Sequence, residues 1–265
     1  MLIIPVSRAP DWRKPPLITL LLILVNVLVY FGIQTKDMDR LQEAYEYYET
    51  SCLPAVELPR YVKYLSQKGE REKADSAKKA LERKRGWRVL RAMENDADFM
   101  KRLYANEIIK QDDEEFKTWR EARDHFEKLR KATLLERYGF KPGAPTFSAL
   151  IAHMFMHASF DHLLGNMAFL FIVGYMVEEA LGKPRFLLFY LLAGMGAGGF
   201  DFLFNTGRMT PGIGASGAVS GVMAMFVVLY GMRKIRFFYW ILVYFNFFKA
   251  PAILDGQRVV SVFLQ

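Results

Sequence analysis

Residues 213–221 read IGASGAVSG, with Ser216 among small residues at the start of a long apolar run. The small neighbours leave the serine hydroxyl open to a substrate, while the apolar residues that follow shield it partly from water. About fifty residues earlier, residues 157–166 read HASFDHLLGN. Side chains four positions apart, such as those of His162 and Asn166, project from one side of a helix. Together the two stretches predict a nucleophile that faces hydrogen-bond donors able to stabilise an oxyanion.

Further apolar runs lie on both sides of these stretches. A membrane-spanning helix needs about 20 apolar residues, and five runs approach this length: Leu17–Ile33, Phe147–Val177, Phe186–Phe204, Ser216–Tyr230 and Phe237–Leu254. The first run resembles a secretory signal, but residues 34–37 (QTKD) offer no small-residue cleavage site and more spans follow. We therefore expect an all-α, polytopic membrane helix bundle with five spans, the first of them retained.

The charged residues divide the chain, because most of them lie between Lys36 and Lys141. This uneven distribution predicts five segments: a cytoplasmic N-terminal tail (1–16), a first span (17–33), a charged and mainly helical extramembrane insert (34–146), a transmembrane core (147–254) and a polar C-terminal end (255–265).

The insert has the pattern of amphipathic helices. Phe116, Trp119, Ala122 and Phe126 recur at helical spacing among charges, and residues 93–108 indicate a second helix. Two roles stay open for the insert. It packs on itself or on the membrane surface, or it is a platform on which a substrate or partner docks.

The basic residues of short loops predict the orientation of the spans. The basic N-terminus, the Lys183–Arg185 turn and the Arg233–Arg236 turn all fall on the cytoplasmic side of a strictly alternating chain. The insert, His157 and the loop before Ser216 then share the outer side, which supports pairing the two chemical stretches.

Several other classes of function are disfavoured. The net charge is +8, but acidic and basic residues alternate in the insert without a basic stripe, so no nucleic-acid partner is expected. Gly212-x-Gly214-x-x-Gly217 follows no strand, which excludes a dinucleotide site. His153 and His157 lack the glutamate of a zinc-protease helix. We expect no cofactor and no metal, and the single cysteine, Cys52, forms no disulfide within the chain.

Small residues on two spans predict close helix packing. Gly194-x-x-x-Gly198 and Gly217-x-x-x-Gly221 are pairs of the kind that let helices approach each other in lipid. Such packing would hold Ser216 at a fixed depth.

The two chemical stretches resemble those of the rhomboid family of intramembrane serine proteases. The likeness lies in His157-x4-His162-x3-Asn166 on one span and Gly214-Ala-Ser216-Gly on another, with the turn at residues 177–182 (VEEALG) between them. The resemblance implies a helical bundle that cleaves transmembrane protein substrates near the membrane surface. It also implies that Ser216 is the nucleophile, that His162 and Asn166 stabilise the oxyanion with the Ser216 amide, and that His157 assists at the mouth of the site.

The chain departs from the family pattern in three places. The loop after the first span is much enlarged, and Ser148 and Ala149 stand where the family often has a Trp-Arg pair. The third departure concerns the general base, which the family carries as a histidine on a sixth span, whereas no histidine follows His162 in this chain. We expect the chain as written to be inactive for that reason.

Two explanations of the missing base stay open. The chain is a truncated or frame-shifted product that lacks the sixth span, or it is a non-catalytic relative that binds transmembrane segments. In either case the lipid bilayer is a partner, and a bacterial inner membrane is the predicted location.

Overall fold

The structure, a computed structural model, describes residues 2–5, 15–231, 234–241 and 244–251. The α-helices of these residues are, in chain order, α1 (Leu17–Val29), α2 (Thr35–Thr50), α3 (Leu53–Gln67), α4 (Arg71–Glu82), α5 (Gly86–Asn95), α6 (Ala97–Tyr104), α7 (Phe116–Lys131), α8 (Leu134–Tyr138), α9 (Phe147–Ala152), α10 (Phe160–Leu181), α11 (Lys183–Phe204) and α12 (Ser216–Tyr230). Three strands are β1 (Leu2–Pro5), β2 (Lys234–Ile241) and β3 (Tyr244–Pro251).

The chain forms two compact units. The core unit comprises Met1–Gly32, Leu150–Phe200 and Ile213–Gln265. The insert unit comprises Ile33–Ala149 and Asp201–Gly212. The segment Asp201–Gly212 connects α11 to α12. The sequence prediction groups it with the transmembrane core (147–254) and does not foresee that it belongs to the insert unit. The predicted domain boundaries themselves stay predictions.

The core unit contains helices that are long and apolar enough to cross a membrane. Both α10 and α11 have 22 residues, which at 1.5 Å per residue gives about 33 Å, against a hydrocarbon thickness of about 30 Å. A third such run extends from Leu17 to Thr50, through a π-helical turn at Tyr30–Gln34, and α12 is a shorter apolar helix. The predicted helical bundle is confirmed by these helices.

The predicted span over Phe147–Val177 is interrupted. The short helix α9 passes into a 3-10 turn at His153–Phe155, and a new helix begins only at Phe160. The cause is Ser159, which has extended backbone and whose hydroxyl accepts a hydrogen bond from the amide of His162 at 3.2 Å. Serine at an N-cap satisfies an otherwise unpaired amide and so defines a helix start.

Within the predicted fifth span over Phe237–Leu254, the residues that the structure describes form strands and not a helix. The backbone there forms β2 and β3, which pair antiparallel with Lys234 opposite Pro251 and Ile241 opposite Tyr244, while β1 pairs with the other edge of β2. This part of the chain is rich in aromatic residues, which favour strands, and a continuous apolar run does not distinguish the two conformations by periodicity. The predicted C-terminal end (255–265), most of the N-terminal tail (1–16) and Arg233 lie outside the described residues.

A buried carboxylate joins the first span to α10. Glu178 is 4% exposed and accepts hydrogen bonds from the amides of Ile18 and Thr19 and from the Thr19 hydroxyl, at 3.1, 2.8 and 2.8 Å. Helix α1 starts after Pro16, which provides no capping side chain. Glu178 therefore caps α1 from another helix, and its negative charge lies at the positive end of the α1 dipole.

Small residues allow α11 and α12 to approach closely, as predicted for the glycines of α12. A methyl group added at Gly217 or Gly221 would lie 2.5 Å from the Cβ of Ala197 or Ala193. The partners on α11 are thus alanines. Gly194 instead accommodates the side chain of Met154, whose terminal carbon occupies the place where a Cβ would stand.

The insert unit folds around its own apolar core. The buried residues include Tyr48, Phe99, Trp119 and Phe126, and the predicted amphipathic helix is α7. The second predicted helix is two helices, because the Asp96 side chain accepts a hydrogen bond from the Phe99 amide and starts α6 there.

A charged network is buried in the same core. Arg123 is 1% exposed and binds the carboxylates of Glu57 and Glu127 at 3.1 and 2.7 Å, and Glu57 also accepts a hydrogen bond from the Trp119 indole at 2.8 Å. Burial acts to raise the pKa of Glu127, but the guanidinium groups of Arg130 and Arg123 outweigh it and lower that pKa. The network therefore favours the charged form of Glu127.

The connection from α11 to α12 is bound to this unit by polar contacts. Asn95 Oδ1 accepts hydrogen bonds from the amide and the hydroxyl of Thr210. Gly212 and Phe140 exchange two backbone hydrogen bonds of 2.8 and 2.9 Å, and the Gly143 amide donates to the Arg208 carbonyl. These contacts fix the segment that immediately precedes residue 213.

We expect Arg123→Met to destabilise the insert unit by about 3–5 kcal/mol, because it leaves the carboxylate of Glu57 buried without its cation. Hydrogen exchange of the α3 and α7 amides in the full chain measures the change. Arg120→Met on the same helix removes a surface pair with Asp124 and a long hydrogen bond of 3.4 Å to Asn106, and should cost less than about 1 kcal/mol. Equal protection of both variants would show that the buried pair is not stabilising.

We expect Glu178→Gln to lower the free energy of unfolding of the core unit by about 1–3 kcal/mol, since a neutral amide is a weaker cap for two amides and a hydroxyl. Unfolding by denaturing detergent, followed by circular dichroism, measures this. Glu179→Gln is the matched control, because that neighbouring side chain is exposed. If the two variants unfold alike, Glu178 does not hold α1.

Candidate active site

Ser216 is the first residue of α12 and is half-buried. The N-cap residue before it, Ala215, has no side-chain oxygen, so it does not cap the amides of the first turn. Such amides point out of the helix start, and the helix dipole makes this end positive. The serine hydroxyl therefore stands at a place that favours a developing negative charge.

Gly214 brings the serine and an imidazole around one point. Its φ is +132°, a conformation that favours glycine, and its amide donates a 2.9 Å hydrogen bond to the carbonyl of His153. A Cβ on Gly214 would lie 3.0 Å from Nε2 of His162 and 3.6 Å from Oγ of Ser216. Because that Cβ is missing, the hydroxyl and the imidazole border the same small space.

His162 lies in the first turn of α10 and is half-buried, and its backbone amide is bound by the Ser159 cap. Its ring meets that of His157 edge to face, with ring centroids 5.2 Å apart. The structure thus brings three of the four predicted site residues, Ser216, His162 and His157, to one location.

His157, which the resemblance places at the mouth of the site, lies beside the backbone of the serine loop. It is fully buried, and its Nε2 accepts a long hydrogen bond of 3.5 Å from the amide of Ala215. An accepting Nε2 carries no proton. In this arrangement His157 supports the backbone beside the serine.

Asn166, the fourth predicted residue, lies one turn after His162 and is 1% exposed. Its Nδ2 donates to the His162 carbonyl at 2.8 Å, and its Oδ1 has no hydrogen-bond partner among the described residues. Since a side-chain amide has two N–H groups, one donor stays available after the bond within the helix. No sequence pattern shows that one N–H group of Asn166 bonds within the helix while the other stays available.

The other two histidines have different surroundings. His125 belongs to the insert unit, where its ring contacts Tyr47 with centroids 4.5 Å apart. His153 meets the serine loop through its backbone carbonyl. The roles of Gly214 and of this carbonyl are missing from the sequence prediction, although a glycine two residues before the serine is a signal for an unusual backbone conformation.

Comparisons with known proteins find similarity to one family. Residues 144–258 match the family model described as "Rhomboid domain". Rhomboid-like protein 11, chloroplastic, of Arabidopsis thaliana is 36% identical over 106 residues, which are 40% of this chain and 36% of the relative. Rhomboid protease AarA of Providencia stuartii is 33% identical over 88 residues (28% of this chain, 31% of the relative). Rhomboid protease GluP of Bacillus subtilis is 37% identical over 86 residues (32% of this chain, 16% of the relative).

The similarity is confined to part of each protein. The chain spans about a third of the length of the first two relatives. No solved structure is significantly similar to the chain.

We expect Gly214→Ala to disturb the site. Its Cβ would lie 2.7 Å from Cε1 of His162, and its backbone would keep a φ that other residues rarely adopt. The free energy of unfolding in mild detergent should fall by about 1–3 kcal/mol. Gly165→Ala on α10 is the control, because a Cβ there meets nothing within 4 Å. A Gly214→Ala chain as stable as the control would contradict the close approach.

Proposed function

We propose that the chain carries the nucleophile and the oxyanion donors of a rhomboid-type intramembrane serine endopeptidase, an enzyme that hydrolyses peptide bonds of transmembrane protein substrates near the membrane surface. Residues 144–258 match the rhomboid domain model. The observation that carries the proposal is the shared space at Gly214, bordered by the Ser216 hydroxyl and the His162 imidazole. Two of the relatives above are named rhomboid proteases.

In the proposed reaction the Ser216 hydroxyl attacks the carbonyl carbon of the substrate peptide bond. The carbonyl oxygen then becomes an anion, which the Ser216 amide, Nε2–H of His162 and the second Nδ2–H of Asn166 stabilise. Donors of this kind each contribute about 3 kcal/mol to the transition state, since they are in place before the charge develops. His157 has a supporting role through the Ala215 amide.

The proton of the serine needs an acceptor. A serine hydroxyl is a weak nucleophile unless a base within hydrogen-bond reach removes its proton. The resemblance places that base on a later span, and the 265 residues contain no histidine after His162. Loss of a member of such a group leaves only about 10³–10⁴-fold catalysis over water. We therefore propose that these 265 residues bind a substrate without cleaving it at a measurable rate.

The second candidate is a rhomboid-like membrane protein that binds transmembrane segments and has no activity. Relatives in Arabidopsis that carry the name rhomboid-like favour it. The first candidate explains better why a serine, a glycine with positive φ and two imidazoles occupy one site.

The chain is an integral membrane protein, as its apolar helices and its rhomboid domain show. A bacterial inner membrane stays the proposed location. Among the relatives are bacterial proteins and also plant proteins labelled chloroplastic and mitochondrial.

Covalent labelling separates the two candidates. We expect a fluorophosphonate probe to label the full chain in detergent slowly and only at Ser216, because the oxyanion donors are present and the base is not. Labelling should disappear in Ser216→Ala and persist in Ser220→Ala, the matched control with an exposed serine one turn along α12. Mass spectrometry of the labelled peptide identifies the site.

A reporter transmembrane substrate completes the test. No cleavage by the 265 residues is expected. Robust cleavage that Ser216→Ala abolishes would reveal a base within these residues and refute the proposed inactivity. No labelling of Ser216 at all, together with cross-linking of a transmembrane peptide, would favour the binding protein.

A further inference from the structure

The insert unit contains a cleft that the proposed protease chemistry does not use. It lies among α3, α4 and α5 and has a volume of about 350 Å³. Its floor is apolar and includes Leu65, Ala77 and Val89, all of them buried. Tyr61 also lines it and is held by a hydrogen bond from its hydroxyl to the Ala92 carbonyl at 3.3 Å.

The mouth of the cleft is strongly basic. Five exposed cationic side chains line it, namely Lys73, Lys79, Arg83, Arg85 and Arg88, and no carboxylate is among the lining residues. Lys73 pairs with Glu70 at 2.7 Å, whereas the other four form no ion pair with any described carboxylate. Like charges around one cleft repel each other, so an anion bound there would relieve an unfavourable arrangement.

The turn between α4 and α5 holds part of this charge in place. The Lys84 amide donates to the Leu81 carbonyl and the Arg85 amide to the Ala80 carbonyl, at 2.9 and 2.8 Å. This pattern ends a helix with one residue in the left-handed conformation, a position that usually holds glycine. In this turn that residue is Lys84, with φ +55°. Lys84, in the middle of the basic run Arg83–Arg85, thus occupies a position at which glycine would be more favourable.

The combination indicates the chemistry of the ligand. Three guanidinium groups match a phosphate, because each offers planar, paired donors. The apolar floor adds a surface for a non-polar part next to that phosphate. A cleft closed on three sides by helices suits a compact group better than an extended peptide. The chain is an integral membrane protein, so phospholipid headgroups are an abundant source of phosphate for it.

From these observations we infer that the cleft binds the phosphate of an anionic phospholipid headgroup, with the adjoining glycerol and acyl carbons on its apolar floor. The inference concerns the insert unit alone and does not depend on whether Ser216 is active. It assigns a ligand to a part of the chain that lies largely outside the rhomboid match at residues 144–258.

A titration of the full chain in a neutral detergent tests this site. The probes are dihexanoyl phosphatidylglycerol, its neutral phosphatidylcholine counterpart, inorganic phosphate and hexaglutamate. Trp87 is a local reporter, since it is 54% exposed and the Arg88 guanidinium lies 5.3 Å from its ring; Trp87→Phe identifies its signal. We expect saturable binding of the phosphatidylglycerol at concentrations at least tenfold below those needed for the other three.

Matched triple variants locate the binding. Arg83→Gln/Arg85→Gln/Arg88→Gln should weaken the affinity for phosphatidylglycerol about 100-fold. Arg71→Gln/Lys78→Gln/Arg91→Gln removes the same charge from exposed positions on α4 and α5 that do not line the cleft, and should change it less than about threefold. Equal loss in both triples would overturn the cleft as the site. If inorganic phosphate binds more tightly than phosphatidylglycerol, the cleft is a site for free phosphate. If hexaglutamate binds more tightly, the cleft is a site for an acidic protein. Either result would overturn the lipid assignment.

Discussion

The absence of a side chain at Gly214 is the constraint on which the site depends. The imidazole of His162 and the hydroxyl of Ser216 use the volume that a Cβ would fill. The same residue needs a left-handed backbone conformation, which its amide secures by binding the His153 carbonyl. One backbone position thus permits the close approach of the candidate site residues on two helices, α10 and α12, and no other residue type satisfies both demands.

Glu178 shows how the core unit satisfies a buried polar group within the chain, as hydrocarbon requires. Its carboxylate binds two amides and a hydroxyl of α1, and Asn166 similarly returns one N–H to its own helix. The α12 start differs, because its N-cap residue is an alanine. A helix end left without a side-chain cap beside a serine is the place where a reacting oxygen gains most from the amides.

Much of this architecture follows from local patterns in the sequence. The helix α11 and the turn before it follow from an apolar run and from Gly182, which has φ +79°, and α7 follows from its spacing. The interruption at residues 153–159 is also local in origin, since the Ser159 cap causes it, but a hydrophobic run obscures it. The pairing of β2 with β1 depends on residues far apart in the chain, to which pattern alone has no access.

The cap on α1 also has a bearing on how the protein is made. The amides of Ile18 and Thr19 obtain their acceptor from a residue about 160 positions later. At a synthesis rate of about 5–20 residues per second, the delay is on the order of ten seconds or more. During that time the ribosome completes the whole insert. The start of α1 therefore needs water as its hydrogen-bond acceptor until Glu178 has been synthesised, and the contact between α1 and α10 forms only then.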